Sequence, residues 1–134
     1  MSVGDMVVAG ELEIVDADAE GAQAMLGDAR QHAESARIIA GSDPNGAYQL
    51  AYDAARKAVT SSMRSSGFRV RKGEGGHMIT AAYASVAIDD GLGKRLELAR
   101  RRRNRSEYGS AFFNAEAISD IIDLAAALIE AVSD

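Results

Sequence analysis

Small apolar residues recurring at three- and four-residue spacing constrain this chain more than any other feature. Ala22, Met25, Leu26, Ala29, Ala33, Ala36 and Ala40 fall on one side of a 3.6-residue helix. So do Ala47, Leu50, Ala51, Ala54, Ala55, Ala58, Val59 and Met63, and again Ile118, Ile121, Ile122, Ala125, Leu128, Ile129 and Val132. Alanine-rich faces let helices approach closely, and an aromatic content of only 5% leaves little bulk for a sheet sandwich. The pattern predicts an all-α fold. A length of 134 residues holds one core and is too short for two ordinary domains.

The helix ends are marked by local chemistry. A first helix is expected from about Asp16, with Asp16 or Asp18 accepting the free amides and Gly41 in the left-handed position past the end. A second starts at Asp43 and Pro44, since proline's missing amide does no harm at the first helical position, and stops near Gly67. Residues 68–76, basic and rich in glycine, read as a flexible connector. A third helix is expected from His77 until Gly91 and Gly93 interrupt it, and a fourth from about Lys94 to Glu107, with Leu92, Leu96 and Ala99 as its apolar stripe. That stripe projects forward onto Arg103 and then Ser106 or Glu107, so the inner face turns polar where a purely structural helix would stay apolar. The last helix is capped by Asn114, with Phe113 and Ile118 placed for a hydrophobic staple. Residues 1–15 read as an N-terminal arm, either a short strand pair or a mobile segment, ahead of a helical bundle over residues 16–134.

The net charge of −5 conceals a sharp division. Residues 1–55 set Arg30 and Arg37 against ten acids, a balance of −8, and residues 106–134 carry six acids and no Lys or Arg. Between them, residues 56–105 hold thirteen Lys or Arg against four acids, a balance of +9. An acidic chain with one basic section is suited to local anion binding rather than general adhesion to nucleic acid. The absence of cysteine excludes a disulfide framework and thiolate chemistry. No His or carboxylate pair has metal-ligand spacing, so neither metal nor other cofactor is expected. No apolar run approaches a membrane span and the start lacks a basic leader, which predicts a cytoplasmic protein with no membrane partner.

Five arginines in six positions, Arg100, Arg101, Arg102, Arg103 and Arg105, form the densest charge in the chain. They lie between two periodic segments and are therefore expected on a folded helix, where guanidinium forks suit phosphate. A helix cannot aim all of them one way, so part of the run is a solvated face.

The runs Ala47-Tyr48-Gln49-Leu50-Ala51-Tyr52-Asp53-Ala54-Ala55, Gly76-His77 and Arg103-Asn104-Arg105-Ser106-Glu107-Tyr108-Gly109, in this order before a long apolar helix, resemble the HEPN superfamily over about residues 18–133. The resemblance implies an antiparallel four- to five-helix bundle that dimerises with the motif helix at the two-fold axis. Many such domains are metal-independent endoribonucleases of toxin–antitoxin, defence or RNA-processing systems; others are non-catalytic and bind nucleotides, nucleic acid or a nucleotidyltransferase partner. The family motif is Arg, four to six residues, then His, often with a polar residue after the Arg. Arg103 and Asn104 match its first half, whereas Tyr108 stands where His is expected. In a second register, Arg101 and Ser106 precede Tyr108 as in a variant motif whose Tyr accepts a nucleotide from a partner enzyme, with Ser106 replacing the His.

What the resemblance implies for the site follows residue by residue. Arg103, Asn104 and Tyr108 are the catalytic candidates, with Arg100, Arg101, Arg102 and Arg105 as RNA or phosphate contacts and His77 and Glu107 as accessory groups. In such cleavage a base takes the 2′-hydroxyl proton and an Arg stabilises charge growing on the phosphate. Tyr, ionising near pH ~10, is a weak base at neutral pH, where His near ~6.5 serves well. The bland alternatives are an Arg103–Glu107 ion pair one turn apart, worth a few tenths of a kcal/mol (~0.3), a wet helix-end hydroxyl for Tyr108, and a helix-start role for His77. The expectation is that Arg103 and Tyr108 converge on an anion, in a homodimer that takes RNA or engages a nucleotidyltransferase-like protein.

Overall fold

The computed structural model describes residues 1–73, 75–108 and 113–133, without the side chains of residues 106–108. Among these the chain is mostly helical, with α1 (Val3–Val8), α2 (Ala19–Ile39), α3 (Pro44–Ser65), α4 (Gly76–Ala87), α5 (Asp90–Tyr108) and α6 (Ala115–Val132). One two-stranded antiparallel sheet joins β1 (Leu12–Ile14) to β2 (Phe68–Val70), pairing Leu12 with Val70 and Ile14 with Phe68. No helix among the described residues is long and apolar enough to cross a membrane.

Helix α3 is the axis of the molecule. It packs most extensively against α2 and α6, while α4 pairs with α5. Ala47, Ala51, Ala54, Ala55 and Ala58 are fully buried, so α3 meets its neighbours through methyl groups rather than long side chains. Tyr48, Tyr52, Val59 and Met63 of α3 are buried in the same core cluster as Leu124, Ala125 and Leu128 of α6. Burying a Leu or Ile side chain contributes about 1.5–3 kcal/mol, so α6, with Ile118, Ile121, Leu124 and Leu128 inward, supplies much of the driving force.

The caps follow the sequence closely. Gly21 N–H donates to Asp18 at 2.8 Å, Gly46 N–H to Asp43 at 3.0 Å and Ala117 N–H to Asn114 at 2.8 Å, each satisfying an otherwise orphaned amide. Phe113 and Ile118, on either side of the Asn114 cap, are both buried. Gly41 behaves otherwise than expected: φ is not positive there, and α2 instead ends with the Ile39 carbonyl accepting from both Ser42 and Asp43 amides at 3.0 and 2.7 Å. The tight turn needs no left-handed residue.

Three other expectations are corrected. Residues 1–15 do not form a strand pair of their own: Val3–Val8 is helical, β1 pairs with β2, and Met6 and Leu12 are buried in the common core. Residues 68–70 are a strand, not part of a connector. The sheet ties the N-terminal segment to the end of α3, with Val15 N–H on the Gly67 carbonyl at 2.9 Å and Asp18 N–H on the Arg64 carbonyl at 3.1 Å. Helix α5 begins at Asp90, with Leu92 N–H on Asp89 at 2.8 Å, so Gly91 and Gly93 lie inside it. Gly93 marks a close approach rather than a break: a Cβ there would sit 2.0 Å from Ser85 Oγ and 2.3 Å from the Ser85 amide nitrogen of α4.

Candidate functional site

Positions four apart on a helix share a face, and α3 uses this to present polar groups beside its alanines. Tyr48, Tyr52 and Arg56 form one row, Gln49, Asp53 and Lys57 the next. Helix α5 crosses this surface with Leu96 buried and Ala99 half-buried, and its inner stripe reaches Arg103 as expected. Arg103 is half-buried there, its Nε donating to Gln49 Oε1 at 2.9 Å and its guanidinium carbon 5.3 Å from the centre of the Tyr52 ring. A cation over an aromatic face gains about 0.5–2 kcal/mol, more as water is excluded.

His77 completes the cluster from the first turn of α4. Its Nδ1 lies 3.1 Å from Tyr52 Oη, and the two rings are tilted at 37° with centres 5.8 Å apart. The helix starts here because Gly75, at φ 83°, turns the chain through a left-handed conformation that side chains resist. Tyr52 is 2% exposed, and its burial raises the phenol pKa against the opposing pull of Arg103, Arg56 and Arg100. For His77, partial burial and repulsion from the same three guanidiniums lower the pKa, with Asp53 opposing. The pair is therefore a protonated phenol beside a neutral imidazole at neutral pH, and His77 stays solvent-exposed as a residue.

A network of ion pairs flanks this cluster. Asp53 accepts from Arg56 at 2.7 Å and from Lys57 at 3.2 Å, and His32 lies 3.1 Å from Lys57 Nζ. Burial raises the Asp53 pKa, but the hydrogen bonds from Arg56 and Lys57 prevail and hold it below the ordinary value. Arg100 makes a two-pronged contact to Glu97 at 2.7 and 2.8 Å, and Arg101 reaches the same carboxylate at 3.0 Å.

The arginine run is thus divided around α5. Arg103 and Arg100 act on Tyr52, and Arg102 and Arg105 line a cleft with Asn114, Glu116 and Asp120 on the α6 side. Arg101 belongs to the α4 side, beside Met78 and Leu98. Asn104 is half-buried, and its side chain has no hydrogen-bond partner among the described residues. The expected approach of Tyr108 to Arg103, the Arg103–Glu107 ion pair and the register through Ser106 lie outside the described side chains.

Sequence reasoning overlooked Gln49, Tyr52 and Arg56 as members of the site. Two tyrosines and a glutamine beside an alanine face were the available signal, because a polar atom brought to a buried surface requires a partner. An imidazole reaches the cluster from α4, twenty-six positions upstream of Arg103. What the cluster offers chemically is a neutral proton acceptor and a fixed cation around one phenol. No family model, curated protein or solved structure matches the chain.

Proposed function

We propose that this chain is a HEPN-type, RNA-associated protein that acts as a homodimer of toxin–antitoxin or defence type and cleaves RNA without a metal. The observation that carries the proposal is the convergence on Tyr52 of His77, at 3.1 Å, and the Arg103 guanidinium, at 5.3 Å. Arg103 is the residue that matches the family motif, and the neutral imidazole beside it answers the motif's missing His.

In the tautomer this chemistry needs, His77 Nδ1–H donates to Tyr52 Oη and Nε2 presents its lone pair. Nε2 takes the proton from a 2′-hydroxyl, and that oxygen attacks the neighbouring phosphorus. The bond from phosphorus to the 5′-oxygen breaks, Tyr108 at the motif position protonates the departing oxygen, and the products are a 2′,3′-cyclic phosphate and a 5′-hydroxyl. Arg103 stabilises the charge that grows on the phosphate oxygens, and Gln49 holds the guanidinium in place.

The test is cleavage of a defined single-stranded RNA in excess chelator by the native protein and by R103A, H77A and Y108F. Removing the base or the cation is expected to lower the rate about 100-fold or more, with mass spectrometry showing cyclic phosphate ends. Equal rates for H77A and the native protein overturn the assignment of the base. No cleavage by any form, together with a nucleotide adduct on Tyr108 after co-expression with a nucleotidyltransferase, would move the chain to the non-catalytic class.

A further inference from the structure

A second group of cations lies outside the arginine run. Arg56, Thr60 and Arg64 of α3, Arg69 of β2, and His77 and Thr80 of α4 line a cleft of about 240 Å³. That is room for several water molecules at ~30 Å³ each. The β1–β2 pairing creates the cleft, since it carries Arg69 back alongside the last turns of α3.

The donors in this cleft select for charge. Thr60 Oγ1 donates to the Arg56 carbonyl at 3.0 Å and Thr80 Oγ1 to the Gly76 carbonyl at 2.9 Å, so both hydroxyl protons are already used within their own helices. Arg56 gives one hydrogen bond to Asp53 and Arg69 one to Glu13, which leaves most of the five N–H groups on each guanidinium for a ligand. Arg64 is exposed, and its guanidinium has no partner among the described residues. Gly75 offers no capping side chain to the first turn of α4. The lining also includes Met63, Phe68 and Val70, so the donors left for a ligand are chiefly the three guanidiniums, whose charge favours an oxyanion over a neutral acceptor.

The cleft is continuous with the Tyr52 cluster. His77 lines it and also meets Tyr52, while Arg56 lines it and acts on the charge of both Tyr52 and His77. We infer that this cleft is a phosphate subsite, in which Arg56, Arg64 and Arg69 take a phosphate of a single-stranded RNA next to the one held at Arg103. The identity of the ligand as RNA rests on the function proposed above; the preference for a phosphate rests on the cleft itself.

Fluorescence anisotropy with a short 2′-O-methyl RNA, which cannot be cleaved by 2′-oxygen attack, tests the subsite separately from catalysis. The native protein is compared over a range of salt with R64Q/R69Q, R64K/R69K and R103A, each checked for an unchanged circular dichroism spectrum. Expected are a Kd raised about tenfold in R64Q/R69Q, a salt slope smaller by ~0.7 for each phosphate that is no longer neutralised, and substantial recovery in R64K/R69K. Unchanged affinity and slope in R64Q/R69Q would overturn the subsite even if R103A abolishes cleavage, as would failure of the native protein to bind. Weakened binding in R64Q/R69Q by a protein that cleaves nothing leaves the subsite standing and sinks the catalytic proposal instead.

Discussion

Tyr48 Oη donates to the Ala99 carbonyl oxygen across 2.9 Å, pinning the middle of α5 to α3 one turn before Arg103. The Tyr48 ring is fully buried and stacks on Phe113, with centres 3.8 Å apart and planes within 2°. One side chain thus fixes α5 by its hydroxyl and the entry to α6 by its face. Burial pushes its pKa up to about 12, outweighing Arg102, Arg105 and Arg103.

That shift makes alkaline stability a readout of the contact. A folded-state pKa above the unfolded value of ~10 means that the phenol's contribution is complete below pH ~10 and is lost as pH rises toward 12. Urea unfolding should be nearly constant up to pH ~9 and weaken through that window, with Tyr52, also raised, contributing to the fall. Tyr48→Phe keeps the stack, costs about 1 kcal/mol at neutral pH and shortens the alkaline loss. An alkaline profile identical to that of the native protein would separate Tyr48 from the effect.

Helix α5 should be equally sensitive at its other end. Gly93→Ala places a methyl group 2.0 Å from Ser85 Oγ and 2.5 Å from Ser85 Cα, so α4 and α5 must move apart. The expected cost is about 2–3 kcal/mol in chemical unfolding. Adding Ser85→Ala should recover little of it, because the Ser85 backbone also stands in the way. Full rescue by the double substitution would show that the hydroxyl alone sets the spacing.

The elements most legible in the sequence were those whose signal is local. Periodicity placed the faces of α2, α3 and α6, and Asp43, Pro44 and Asn114 marked helix starts by side-chain chemistry that acts within three residues. The β1–β2 pair was not legible, since each strand has three residues and its partner lies more than fifty positions away. Gly93 resembles an interruption in the sequence for a related reason: a glycine that permits close helix approach and one that ends a helix look alike until the neighbour is known. In the site, Arg103 stood out because an apolar stripe ran into it. His77 entered only as an accessory group and Tyr52 not at all, as their meeting depends on how α4 returns to α3 through the sheet.

The turn that enables this return is itself testable. Gly67 has φ +83°, and a Cβ there would lie 2.9 Å from the Val15 carbonyl oxygen. Gly67→Ala combines a left-handed backbone with a steric conflict and should cost about 2 kcal/mol. Hydrogen exchange should rise first at the Val15 and Arg71 amides, which bond across the sheet. Unchanged protection at both would show that the sheet does not depend on this turn.

His77 supplies the most direct test of the candidate site. Its folded pKa lies below the ordinary ~6.5 through partial burial and the charges of Arg56, Arg103 and Arg100. The sign follows: the unfolded chain binds the extra proton first, so this residue's contribution to stability is complete above pH ~6.5 and is lost as pH falls through the folded value. Under the proposed mechanism, cleavage should rise with pH through the same folded pKa and level off in the neutral range. Arg103→Gln removes one of the repelling charges, and the imidazole resonances of His77 should then titrate at higher pH than in the native protein. Tyr52→Phe, which deletes the Oη partner but keeps the cations, should alter the tautomer seen by 15N chemical shifts while preserving much of the depression. A His77 midpoint that does not move in Arg103→Gln would mean that the guanidinium and the imidazole do not share one electrostatic site, and the proton-transfer assignment would fall with it.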